Sequence, residues 1–140
     1  MFSAILRLLG LSRVRPAGPP DTADPRKRFG RLGEDAAAKL LRKNGHKILR
    51  RNFTCRRGEI DIIALDGDVI CFVEVKTRRP DALFAPNRTV TSAKRRQVRR
   101  VAQYYLRTNH LLDRTCRFDI VSVVQPDHGE PQIEWIRHAF

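Results

Sequence analysis

The amino-acid sequence predicts a small α/β domain in the order helix, three strands, helix, strand, strand (αβββαββ). Three observations carry that reading. Apolar residues recur at helical spacing from Phe29 to Leu41 and again from Val98 to Tyr105. Between these stretches lie three runs with strand character, separated by turn-forming residues. A fourth apolar run, Arg117 to Val124, follows the second helix. The chain has 140 residues and a hydrophobic fraction of 41%, room and material for one domain with a real core.

Residues 1–25 are expected to form a flexible N-terminal tail, with a single domain over 26–140. The stretch Met1 to Leu11 is apolar but interrupted by Arg7, and its positive charges mostly follow it. A secretory leader has the opposite order, so none is expected; a short amphipathic surface anchor is the alternative. Residues 12–25 are rich in proline without apolar periodicity, which marks a linker. The first helix carries apolar residues at 29, 32, 33, 36, 37, 40 and 41 and should stop at Asn44-Gly45. Gly30 and Gly33 each cost a helix about 1 kcal/mol relative to alanine. Close packing against another backbone would offset that cost.

The strands are read as Lys47 to Cys55, Gly58 to Leu65 and Val69 to Thr77, with Asp66-Gly67 as a hairpin turn. The second helix should run from about Thr91 to about Arg107. Val98, Val101, Ala102 and Tyr105 form its inner stripe, and Arg96, Arg99, Arg100 and Arg107 point outward. Arg117 to Val124 and Ile133 to Ile136 complete the set, and no internal repeat is visible.

Charge narrows the function. The 28 Lys and Arg against 15 Asp and Glu give a formal net charge of +13. Such a field attracts polyanions, nucleic acid ahead of anionic membrane; a solvated basic surface is the bland alternative. Cys55, Cys71 and Cys116 are odd in number, far apart and without zinc-site spacing. They fit a reducing cytoplasm, the expected location. No run approaches the length of a membrane span.

The hairpin carries the candidate chemistry. A two-residue Asp66-Gly67 turn sets Leu65 opposite Asp68, then Ile63 opposite Ile70, Asp61 opposite Phe72 and Glu59 opposite Glu74. Glu59, Asp61, Glu74 and Lys76 then emerge on one face. Opposed carboxylates repel, so a cation is expected among them: Lys76, or a divalent metal such as Mg²⁺ or Mn²⁺ held by oxygen ligands. The alternative is an exposed sheet edge with a Glu–Lys salt bridge.

Asp61 followed by Glu74-Val75-Lys76 resembles the D…(D/E)-x-K signature of the restriction-endonuclease-like superfamily. The wider pattern is more particular. RLGEDAAAKLL, RRGEIDIIALDG, FVEVKTR, a basic helix with Gln97, and CRFDIVSV resemble the YraN family of uncharacterised endonuclease-like bacterial proteins, over roughly Phe29 to Phe140. That family is similar in fold to archaeal Holliday-junction resolvases. The resemblance implies a central mixed sheet flanked by helices, a divalent metal, branched or duplex DNA as substrate, and a homodimer. It implies Asp61 and Glu74 as metal ligands with the Val75 carbonyl as a third, Lys76 as catalytic lysine, and Glu34 as an extra acid. Helical geometry sets Glu34 on the rim of the apolar stripe and Asp35 in solvent. Gln97 and Glu59 are accessory candidates. Ile60 stands where the superfamily's nominal motif has proline.

Arg88, Lys94, Arg95, Arg96, Arg99 and Arg100 are the expected phosphate-contacting residues, with Arg50, Arg51, Arg56 and Arg57 extending the basic character. Residues 78–87 are expected as a long loop beside the active face. Tyr104 and Tyr105 are adjacent, so only one can face out. The leading expectation is a Mg²⁺-dependent endonuclease acting on DNA, branched structures included. The alternatives are a DNA-binding module on a nuclease fold with weak or no catalysis, and a basic adaptor for an acidic protein or membrane surface.

Overall fold

The computed structural model describes residues 24–81 and 90–140, so most of the expected tail, Arg88 and much of the loop over 78–87 lie outside the described residues. Helix α1 spans Pro25–Lys43 and starts earlier than its apolar repeat. Asp24 is its N-cap, accepting from the Arg26 N–H at 2.9 Å, and Pro25 takes the first helical position. A proline there loses no intrahelical bond and has its φ already set. Pro25 therefore belongs to the helix and not to the linker. At the other end the Asn44 N–H donates to the Leu40 and Leu41 carbonyls, and the chain turns out of the helix there.

The buried stripe of α1 is Gly33, Ala37, Ala38 and Leu41. Leu32, expected on the inner face, is 52% exposed. The small side chains explain the difference, because they let the helix settle close to the sheet. A Cβ added at Gly33 would overlap the Thr77 side chain. Gly33→Ala should therefore cost about 1–3 kcal/mol through overpacking, although alanine is the better helix former. Urea denaturation measures it. Thr77→Ala in the same chain should recover part of the loss, and a stabilised Gly33→Ala would refute the close approach.

The described residues form five strands, β1 (Lys47–Cys55), β2 (Gly58–Asp66), β3 (Val69–Arg78), β4 (Cys116–Val124) and β5 (Gln132–Ile136), with helix α2 (Ser92–Thr108) between β3 and β4. They form one sheet in sequence order, with β3 and β4 parallel and every other pair antiparallel. The helices cover opposite faces. Ala37, Ala38 and Leu41 of α1 pack with Ile62, Ala64, Cys71 and Val73, whereas Val98, Val101, Ala102 and Tyr105 of α2 pack with Ile63, Leu65, Ile70 and Phe72. Successive strand residues divide between two cores, as a sheet buried on both faces requires. This mixed α/β architecture is consistent with a restriction-endonuclease-like fold. No helix among the described residues is long and apolar enough to cross a membrane.

The hairpin register differs from expectation by two residues. Asp66 pairs with Val69, Leu65 with Ile70 and Ile63 with Phe72, so Gly67-Asp68 is the connecting pair. Gly67 adopts φ 60° and supplies the left-handed conformation at the first turn position. Side-chain direction alternates with period two, so a slip of two keeps the paired residues 62–73 on their expected faces; beyond Ile62 the alternation breaks, and Glu59 leaves the face predicted for it.

Candidate functional site

The site forms where β2 leaves β3. Their pairing ends at Ile62 and Val73. Ile60 packs with Ile63 in the core under α2, whereas Ile62 packs in the core under α1, so strict alternation breaks at Asp61. On β1, the pairs Arg51–Ile62 and Phe53–Ile60 bracket Asn52, whose φ is 50°. Two neighbouring strands are thus distorted at one level. Asp61 fills the opening: its Oδ2 accepts the Val75 N–H at 2.8 Å, replacing a ladder bond with a side-chain one.

Glu74, on β3 beyond the last pair, is only 3% exposed. Its Oε2 lies 3.7 Å from the Lys94 ammonium, and its Oε1 is buried without a hydrogen-bond partner among the described residues. Burial, then the charge of Asp61, pushes the Glu74 carboxyl up to about 7 against the pull of Lys94 and Lys76. Burial also raises Asp61, opposed by the Val75 N–H and by the two lysines. Glu34 comes in from α1. Burial and then the Asp61 charge raise its carboxyl, while a hydrogen bond with Asn52 and the nearby Arg51 hold it down. Its Oε2 is likewise buried without a hydrogen-bond partner among the described residues, 3.9 Å from the Arg51 guanidinium, which pairs more closely with Asp35 at 2.6 Å.

Four expected residues therefore gather: Glu34, Asp61, Glu74 and Lys76, with Val75 tied in through its N–H. Exposed Glu59 is near enough for its charge to raise both Asp61 and Glu74. The Gln97 side chain lies against Gly58 at the head of β2, one residue before Glu59. Lys94, grouped from sequence with the outward basic residues, faces Glu74 instead. Arg95 bonds the Val90 carbonyl at 2.9 Å and stacks over Phe140, and Arg99 sits over Phe118. Arg96, Arg99 and Arg100 remain exposed. Tyr105 is buried and Tyr104 is the outward one of the pair. Asn52 was not anticipated. Its signal was an asparagine inside a strand pattern, a residue poor in strands but tolerant of left-handed backbone.

This geometry predicts an unusual pH dependence in the absence of divalent cations. A carboxyl whose folded-state pKa lies above its unfolded value stabilises the fold while protonated. Glu74 thus contributes fully below its ordinary value of 4.5, and that contribution is lost as pH rises through about 7. Glu34 and Asp61 act in the same direction. With EDTA present, stability should fall between pH 5 and pH 7.5, with a Glu74 share on the order of 2–3 kcal/mol. Glu74→Gln should flatten most of that slope in urea denaturation at each pH. A slope unchanged in the variant would mean that Glu74 titrates normally.

Comparison with known proteins bears on the whole domain. The model of the uncharacterised protein family UPF0102 matches residues 33–123. A UPF0102 protein of Geotalea uraniireducens (strain Rf4) is 47% identical over 120 residues, covering 86% of this chain and 94% of the relative. One from Moorella thermoacetica is 48% identical over 116 residues, covering 82% and 97%. Another, from Symbiobacterium thermophilum, is 44% identical over 114 residues, covering 81% and 97%.

Proposed function

Because the chain belongs to the uncharacterised protein family UPF0102, whose description assigns no reaction, we infer its function from the site: a divalent-cation-dependent nuclease that binds DNA and hydrolyses phosphodiester bonds. One observation carries this reading. Among the described residues, Glu34 Oε2 and Glu74 Oε1 are both buried without hydrogen-bond partners, and the charge of one Asp61 acts on both carboxyls. Orphaned carboxylate oxygens are costly to a fold, and a hard dication with oxygen ligands satisfies them. The donor set fits Mg²⁺ or Mn²⁺. Asp61 and Glu74 would hold the ion, with the Val75 carbonyl as a third ligand and Glu34 as a further acid. Bound there, it would supply Lewis-acid stabilisation of phosphoryl charge and a more acidic water.

The chain's own groups do the remaining work. Lys76, two residues from Glu74 on β3, lies close enough for its positive charge to act on both Asp61 and Glu74. There it can orient the nucleophile and neutralise charge developing at the phosphodiester. Exposed Arg96, Arg99 and Arg100 on α2 provide backbone-directed attraction for DNA. The outward side chains of α2 are mostly arginines, suited to phosphates, and the described residues offer no further helix dedicated to reading base edges. That favours recognition of DNA shape, four-way or flapped structures included, over recognition of base sequence. Shape-selective cleavage by a homodimer would place two such sites on opposing strands.

Thermal melting tests the ion site directly. Mg²⁺ or Mn²⁺ at about 100 times its Kd should stabilise the protein by about 2.7 kcal/mol, since it binds only the folded state. Asp61→Asn combined with Glu74→Gln should abolish the shift. An equal shift in the double variant would send the ions elsewhere and defeat the assignment.

A further inference from the structure

We propose that Lys94 is an exchangeable counter-ion of this site, pairing with Glu74 in the cation-free protein and turning to a backbone phosphate once a divalent cation occupies the carboxylates. The inference deepens the nuclease reading and rests on it. Lys94 enters from α2, a different element from the strand that bears Lys76. It continues the helix's inner stripe, one helical step before Val98, Val101 and Tyr105, so it is directed at the sheet. Its side chain is 29% exposed, and its Nζ lies 3.7 Å from Glu74 Oε2.

Helix stability does not account for a lysine there. Thr91 caps α2, and its side chain accepts the Lys94 N–H at 3.2 Å. Three residues after the cap is the position where a helix favours an acid, which closes a capping box and complements the dipole. Lysine opposes that dipole, and the first turn of α2 contains no acid to offset it. The compensation comes from the site, because the charge of Lys94 acts on both Asp61 and Glu74.

The same position makes the pairing conditional. An ammonium and a dication sharing one carboxylate repel each other, so binding of one weakens the other. The cap fixes the backbone of Lys94, while its four-carbon stem is flexible and lets the ammonium move. Displaced from Glu74, it stays within reach of the space a phosphate must enter to meet the carboxylate-bound ion. Cation binding and phosphate binding are thereby coupled through one side chain, and each should strengthen the other.

The test compares the full chain with Lys94→Met, Lys94→Arg and Arg107→Met. It uses Mn²⁺ calorimetry and binding of a short DNA duplex, the latter with Ca²⁺ or with EDTA. Lys94→Met should bind Mn²⁺ about tenfold more tightly, whereas Lys94→Arg and Arg107→Met, which removes an exposed charge from the far end of the same helix, should stay within about twofold of the parent. The duplex should bind Lys94→Met about fivefold more weakly in Ca²⁺ and equally well in EDTA, the mark of a contact made only after exchange. Unchanged or weaker Mn²⁺ binding by Lys94→Met overturns the proposal. So does a duplex defect of equal size with and without Ca²⁺. Should Lys94→Met fail to fold, Lys94→Gln carries the same comparisons. Parent Mn²⁺ binding that survives Asp61→Asn with Glu74→Gln defeats the site assignment itself. Carboxylate-dependent binding that ignores Lys94 defeats only the exchange.

Discussion

Asp119→Ala is expected to cost the folded protein about 3–5 kcal/mol, the largest stability loss for any single side chain considered. Asp119 is fully buried. Its Oδ1 accepts from Arg117 Nε at 3.1 Å and from the His138 N–H at 3.2 Å, and its Oδ2 accepts from Trp135 Nε1 at 3.0 Å. Arg117 in turn donates to Asp66 at 2.6 Å and meets His46 Nε2 at 2.9 Å. One carboxylate thus ties β4 to β5 and the C-terminal turn, and helps to balance a buried guanidinium. The donor atoms of His46, Asp66 and Cys71 lie within 4.8 Å of one another, a combination that could ligate a metal. Here the Arg117 guanidinium already serves as their cation. Asp66 and Asp61 are five residues apart on β2, roughly 17 Å, so the two polar clusters should act independently. Urea denaturation should therefore show the loss with the Mn²⁺-induced stabilisation intact. A cost below about 1 kcal/mol would mean that the network relaxes around water.

Lys76→Ala should lower any cleavage rate by about 10²-fold or more, the usual effect of removing a preorganised charge from a phosphoryl or acyl transfer site. DNA affinity should change little, because one half-buried lysine supplies a small part of a broad phosphate footprint. Neutralising Arg96, Arg99 and Arg100 together should do the reverse, weakening binding and reducing the salt slope by about one unit for each lost phosphate contact. Single-turnover cleavage of linear, flapped and four-way DNA, with binding measured at several salt concentrations, separates the two effects. Full activity in Lys76→Ala would remove the lysine from the mechanism. An unchanged salt slope in the arginine variant would make α2 a merely solvated face.

Among the described residues, the element order, the five strands and the two helices were legible in the sequence, because hydrophobic period and turn residues are local properties. Element ends were less so. Proline content places Asp24-Pro25 in the linker, yet aspartate at the cap and proline at the first helical position together start a helix. The Asp-Gly turn was recognised but placed one residue early, since glycine can occupy either central position. Leu32 was assigned to the core by its period. Only the approach of Gly33 to Thr77 decides which side of that period faces the sheet.

The site divides in the same way. The sequence by itself brought Asp61 near Glu74 and Lys76, since the hairpin joins those stretches whichever of the two turns forms, but it did not determine the face of Glu59, because alternation breaks at Asp61. It also determined the excess of positive charge. Tertiary structure decided the rest: the break at Asp61, the left-handed Asn52 beside it, the arrival of Glu34 from one side of the sheet and Lys94 from the other. Each depends on how far a helix sinks toward a strand and how a strand departs from its neighbour. Those distances are set by packing between residues distant in sequence, which no local pattern encodes.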